Sequence, residues 1–240
     1  MHDTEAQWKP RKSLVTHIWW HWALCHVQLG QFEEALSLLD STIKEDAKQE
    51  KGLFQLSDAT SLLMRLELEG KPIGVDLKDR WREIAEIYEN NQMDAAGAQT
   101  FYDFHILIAL LFGDKQKAAK QIIDSLDSAS DCITRNRWNS YVLGRVGKEL
   151  CGGLLAFANE EYGECVDLMY PVRHDLDSFI GGSKAQVSIL GQILLSAAVK
   201  AGKKYHSLAK QLLQEQAAAC GYSTENNFHQ RIAQKIGAFI

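Results

Sequence analysis

The chain has 240 residues and 27.0 kDa, enough to bury a core without disulfides or metals, and carries a formal charge of −5 from 31 acidic and 26 basic residues. That balance excludes the basic footprint of a nucleic-acid binder and disfavours acidic ligands. With 46% hydrophobic residues and three prolines, at positions 10, 72 and 171, collagen-like, disordered and disulfide-framework classes are excluded, and long helices are allowed almost everywhere.

No apolar run approaches the ~20 residues a membrane helix needs, and Met1 to Lys12 lack the apolar stretch of a secretory signal. Cys25, Cys132, Cys151, Cys165 and Cys220 are odd in number and form no CxxC pair. They read as reduced core thiols in a reducing, cytoplasmic setting.

Residues 1–12 are expected to be a flexible N-terminal segment and residues 13–240 a single helical-repeat domain. Apolar residues recur at three- and four-residue steps, and the alternation of a half-buried strand persists nowhere, so the fold class is all-α. The predicted helices run Ser13–Leu29, Phe32–Ile43, Ser57–Leu68, Asp79–Tyr88, Ala96–Phe112 and Lys115–Leu126. They continue with Asn136–Phe157, Tyr162–Phe179, Ser183–Ala201, His206–Cys220 and Thr224–Phe239. The mixed-charge run Lys44 to Lys51 reads as a solvated turn, and Lys71 to Lys78, with Pro72 and Gly74, as a loop.

Gly30, Gly113 and Gly202 each follow a periodic run, where a helix end favours a left-handed residue. Ser183 behind Gly181 and Gly182 is an N-cap; the same stretch lacks the spacing and preceding strand of a phosphate loop. Gly144, Gly147, Gly152 and Gly153 read as sites of close helix crossing, since they do not form GxGxxG.

Four windows fit a tetratricopeptide template, in which a small residue on one helix is followed twelve positions later by another on its partner. The best begins at Trp19, Trp22, Ala23 and His26 and leads through Gly30 and Phe32 to Ala35 and Leu39. The others pair Ile106 with Ala118, Gly153 with Cys165 and Ala197 with Ala209. Their spacing along the chain is irregular, so a degenerate helical-hairpin solenoid, an α-α superhelix, is expected. Phe228, Ile232 and Ile236 form the stripe of a C-terminal capping helix.

Thr16-His17, Trp20-His21-Trp22-Ala23-Leu24, His26, Gly30, Ala35 and Leu36 resemble the opening signature of the tetratricopeptide repeat protein 38 family. Asp58-Ala59, Ser61-Leu62-Leu63, Arg65-Leu66, Gly70 and Arg80-Trp81 resemble its second block. Phe101, Asp103, His105 and Ala109-Leu110 resemble its third; Cys151, Ala156-Phe157, Tyr162, Pro171-Val172-Arg173, Gly181-Gly182-Ser183 and Ala185-Gln186 resemble its last. After Gln186 the family pattern has an Arg-Asp pair where this chain has Val187 and Ser188. The likeness is to the C-terminal half of that family's pattern. It implies a soluble helical-repeat protein of unassigned activity, and the length reads as that of a fragment of a longer array.

Two functions follow as expectations. The first is a non-enzymatic interaction module holding a protein or peptide segment of unknown identity, with groove candidates His17, Trp20, His21, Leu24, Asp103, His105, Leu107 and Leu110. The same register turns Val27, Leu150, Leu154, Phe157, Leu194, Ala198 and Ala201 to a concave surface. That surface lacks the basic and amide residues of a carboxylate clamp, and no cofactor is expected. The Trp-rich first hairpin is expected to cover itself through a homodimer or another chain.

The alternative is a metal-dependent or acid-base enzyme. His17 and His21 sit four apart on one helix face, the spacing of a two-histidine metal site, and hairpin stacking could add Asp103 and His105. At least three of the four must converge for this reading to hold.

Overall fold

The computed structural model describes residues 12–70, 74–130, 137–219 and 227–238. Of the expected flexible segment only Lys12 is described, and there it opens a helix. Cys132, Cys220 and the start of the last predicted helix also lie outside the described residues.

Among the described residues the chain is all-helical, with no strand. Helix α1 spans Lys12–Gln28; α2, Phe32–Leu38, runs through a π-turn at Leu39–Ile43 into α3, Lys44–Glu50. Helices α4 and α5 span Leu53–Glu69 and Lys78–Asn91, and a 3-10 turn at Met93–Ala95 leads to α6, Thr100–Phe112. Helix α7 spans Gln116–Ser130, and α8, Arg137–Val142, runs through a π-turn at Leu143–Gly147 into α9, Lys148–Ala158. The last four are α10 Tyr162–Phe179, α11 Lys184–Lys200, α12 His206–Ala219 and α13 Asn227–Ile236. No helix among these residues is long and apolar enough to cross a membrane.

Chain neighbours pack on one another: α1 on α2, α4 on α5, α5 on α6, α6 on α7, α9 on α10, α10 on α11 and α11 on α12. In the four windows the paired positions lie on helices that pack on each other, and all eight, Ala23, Ala35, Ile106, Ala118, Gly153, Cys165, Ala197 and Ala209, are buried. The contacts do not stop at chain neighbours. Helix α4 also packs against α1, α6 and α11, while α13 touches α1, α11 and α12. From Leu56 to Glu69, α4 is buried at every position but Glu67, so it is the axis of the molecule.

Turn chemistry explains the hairpins. Gly30, Gly181, Gly182 and Gly202 have positive φ, and Ser183 and Gln186 form a reciprocal capping box at the start of α11. Gly113 departs from expectation, since its φ is −91° and the left-handed position is taken by Asp114 at φ 60°. Gly113 is there for space: a Cβ on it would stand 2.3 Å from Ala85 Cβ and 2.8 Å from the Trp81 carbonyl oxygen. The glycine-rich stretch divides. A Cβ on Gly153 would meet Met169 at 2.3 Å, as close helix crossing requires, whereas one on Gly144 would meet nothing within 4 Å.

Two expectations are corrected. The run from Lys44 continues the helix, because buried Lys44 pairs with Asp40 at 3.1 Å and Glu83 at 3.0 Å, while Arg80 holds Asp40 with two guanidinium nitrogens. Cys25 is exposed, on the outer face of α1, although Cys151 and Cys165 are buried as expected. A helix apolar nearly all round gives its faces no label in the sequence.

Gly113→Ala is expected to destabilise the fold by about 3 kcal/mol, since backbone and not a flexible tip blocks the new methyl. Gly144→Ala, solvent-exposed within a helical turn, is expected to be neutral or to stabilise by up to ~1 kcal/mol. Urea unfolding of the two variants beside the wild type checks both.

Candidate functional site

Helix α4 carries buried Asp58, Ser61, Arg65 and Glu69, spaced by three and four so that they share one face. A buried polar group left without a partner costs ~1–3 kcal/mol, so each draws an answering group from another helix or a neighbouring turn. Asp58 Oδ2 accepts from His17 Nδ1 of α1 at 2.9 Å, and its Oδ1 accepts from Gln186 Nε2 of α11 at 3.3 Å. Arg65 Nη1 donates to the Ser61 carbonyl at 3.0 Å and to the Ser61 hydroxyl. Its Nη2 donates to the Ala185 carbonyl at 2.5 Å and to Ser188 Oγ at 3.1 Å. Glu69 pairs with Arg231 of α13.

His17 lies between this interior and solvent. Its ring stacks on Trp20 at 5.1 Å, meets Phe54 at 5.0 Å, and faces His21, whose Nε2 is 3.2 Å from His17 Nε2. Asp58 is fully buried, His17 retains 19% side-chain exposure and His21 is exposed, so a polar relay runs from core to surface. Burial raises the Asp58 carboxyl above its usual range against the opposing pull of His17, and burial with the neighbouring His17 lowers His21. Burial also lowers Arg65 to about 10. Beside Arg65 a cavity of about 80 Å³ opens among α1, α4, α11 and α13, lined by Leu24, Val27, Ser188, Gln192 and Phe228.

The eight sequence candidates separate. His17, His21 and Leu24 reach solvent to some degree, but Trp20, Asp103, His105, Leu107 and Leu110 are buried. The expected apolar groove is therefore corrected: Val27, Leu150, Leu154, Phe157, Leu194 and Ala198 are buried too, in the hydrophobic core. The tryptophans of the first hairpin are also covered within the chain, Trp19 and Trp20 buried and Trp22 half-buried.

His17 and His21 come together, but their carboxylate is Asp58 and not Asp103. Asp103 Oδ1 instead accepts from the Gly97 amide at 3.0 Å, and His105 Nδ1 donates to the Phe101 carbonyl at 2.8 Å. Two residues apart on a helix, Asp103 and His105 point ~200° from each other and cannot serve one cluster. Among the described residues no three His, Cys, Asp or Glu side chains gather as a metal group. The residues missed as site members are Asp58, Ser61, Arg65, Gln186 and Ser188. For the three on α4 a signal was available, since Asp58, Ser61 and Arg65 stand at i, i+3 and i+7 on one helix face.

No protein-family model matches the chain, and no solved structure matches it at a significant level.

Asp103 and His105 have opposite linkage to pH. Burial pushes Asp103 up to about 7 and His105 down to about 3. Between about pH 4 and 6.5 the unfolded chain has lost the Asp103 proton that the fold keeps, so Asp103 makes stability fall as pH rises. Over the same interval the unfolded chain holds a His105 proton that the fold rejects, so His105 makes stability rise with pH. The two slopes, each about 1.4 kcal/mol per pH unit, oppose each other. Relative to wild type, Asp103→Asn is expected to gain stability as pH rises through this interval and His105→Gln to lose it; denaturant titrations at pH 4.5 and 6.5 check the signs.

Among the described residues Arg65 donates to neutral acceptors, Ser61, Ala185 and Ser188. Ser188→Asp, with the cavity beside it, is expected to stabilise the fold by about 1 kcal/mol at pH 7 through a charge-assisted bond. An unchanged or lowered unfolding midpoint would show that desolvating the new carboxylate outweighs it.

Proposed function

We propose that the chain is a non-enzymatic helical-repeat protein acting as an interaction module or scaffold, a degenerate tetratricopeptide-like solenoid that curls back on itself. Its resemblance to the C-terminal half of the tetratricopeptide repeat protein 38 family supports this reading, as do the four buried pairs of positions twelve residues apart. The expected cytoplasmic location accords with buried Cys151 and Cys165, whose thiols burial pushes up to about 12, far from a reactive thiolate.

The observation that carries the reading is where apolar surface remains. With the interior occupied by α4, partner contact moves to the outside, where Trp138 and Tyr141 of α8 are 57% and 48% exposed. They stand 5.6 Å apart and both pack on Phe179 of α10, at 5.9 and 6.1 Å. Arg145 lies 5.3 Å over Phe179 and holds Asp175 through two nitrogens, at 2.8 and 3.1 Å. An aromatic centre with a charged rim is the anatomy of a protein contact. Its occupant is a short apolar segment of another protein.

The Trp138→Ala, Tyr141→Ala double variant tests this. Both side chains are half in water, so the fold should survive, with an unchanged thermal midpoint. Cross-linked partners seen with wild type are expected to fall by about tenfold or more with the variant, the cost of losing a hot-spot aromatic. Recovery of the same partners at the same yield would remove this surface from the reading.

A further inference from the structure

His17 Nδ1 donates to the buried Asp58 carboxylate at 2.9 Å. With that nitrogen committed, the ligating atom left to His17 is Nε2, which accepts a 3.2 Å hydrogen bond from His21 Nε2, whose proton a bound metal ion would replace. Two imidazole nitrogens bound to one tetrahedral zinc ion, with bonds of ~2.0–2.1 Å, stand ~3.3 Å apart. The ring planes lie at 80°, so the nitrogens converge while the rings splay apart.

The surroundings hold this arrangement in place. His17 is stacked on Trp20 with planes 16° apart and is flanked by Phe54. Trp20 also meets the His21 ring at 4.8 Å. Behind them the second oxygen of Asp58 is held by Gln186, which is fixed in turn by the capping box at the start of α11. A carboxylate that takes the far N–H of a ligating histidine sets its tautomer and raises its basicity, an outer shell typical of transition-metal sites. Arg65 acts against a bound cation, but its donors are already engaged by Ser61, Ala185 and Ser188.

We propose that His17 Nε2 and His21 Nε2 chelate one divalent ion of the zinc, copper or nickel class, with Asp58 as the orienting carboxylate. Imidazole nitrogens suit these ions, while magnesium and calcium require oxygen ligands. Among the described residues no third His, Cys, Asp or Glu joins the pair, and His21 is exposed. The remaining coordination positions therefore face solvent, open to water or to a donor from a bound protein. The site is independent of the aromatic surface on α8.

Untagged full chain, stripped with chelator, is titrated with Zn²⁺ by calorimetry and with Cu²⁺ by electron paramagnetic resonance. The expected result is one ion per chain, with two-nitrogen coupling in the copper spectrum and no response to Mg²⁺. His21→Ala should abolish binding. His26→Ala, whose ring bonds Gln31 at 2.7 Å, should leave it intact. Asp58→Asn should weaken it by about 10- to 100-fold. Because Asp58 is buried, Asp58→Asn is read only where its circular dichroism matches wild type; the wild-type copper spectrum needs no variant. Absence of one-to-one binding, a spectrum without two-nitrogen coupling, or equal binding by His21→Ala would overturn the site. Undiminished affinity in a folded Asp58→Asn protein would overturn the role of Asp58.

Discussion

Charge buried along one face of α4 is the constraint on which the rest of the arrangement depends. An isolated ion in a low-dielectric interior is costly enough that it must be paired, neutralised or richly hydrogen-bonded. Asp58, Arg65 and Glu69 meet that demand with groups from three separate helices: His17 on α1, the Ala185 carbonyl and Ser188 near the start of α11, and Arg231 on α13. The beginning and end of the chain are thus held to the same central helix. Apolar contact alone would tolerate a helix turned by a residue or slid by a fraction of a turn. The bond from Gln186 to Asp58 spans 128 positions of sequence and tolerates neither.

The same stripe explains why hairpins with repeat-like spacing do not leave an open concave surface. In a solenoid each unit contacts its neighbours alone, and the inner faces stay free for a ligand. Here three of the four helices that would line that inner face, α1, α6 and α11, pack on α4. Helix α13 then lies against both α1 and α11, with Phe228, Ile232 and Ile236 buried at the seam. Large apolar side chains are left exposed on the outside instead, among them Trp138 and Tyr141. The buried polar stripe reaches water where His17 meets His21, and again where Glu69 meets Arg231.

How far this was legible in the sequence depends on whether local chemistry or tertiary contact decides each feature. Helices α1, α10, α11 and α12 were readable to within a residue or two, because their apolar periodicity and their punctuation by Gly30, Gly181, Gly182, Ser183 and Gly202 are local. The stretch Lys44–Glu50 was misread because its charges look solvated until Glu83 and Arg80 of another helix are beside them. Gly113 was placed correctly for the wrong reason, since its constraint is the backbone of α5 and not its own φ. The histidine pair was visible as an i, i+4 spacing, but the choice of Asp58 over Asp103 was not. Nothing within α6 shows that the Gly97 amide, rather than an imidazole, occupies the Asp103 carboxylate.

The contacts from Asp58 through His17 to His21 also connect the surface of this fold with its centre. His17 is the link between the exposed ring of His21 and a carboxylate that helps hold α11 to α4. A group that binds the folded arrangement of the two imidazoles and not the unfolded chain adds its binding free energy to the stability of the fold. Such binding would favour the His17 ring orientation that Asp58 already holds, and with it the contact of α1 with α4. The aromatic cluster on α8 has no comparable path, because its partners, Phe179, Arg145 and Asp175, are confined to neighbouring segments of the chain. The interactions of that cluster are local, whereas the histidine pair is hydrogen-bonded to the buried axis itself.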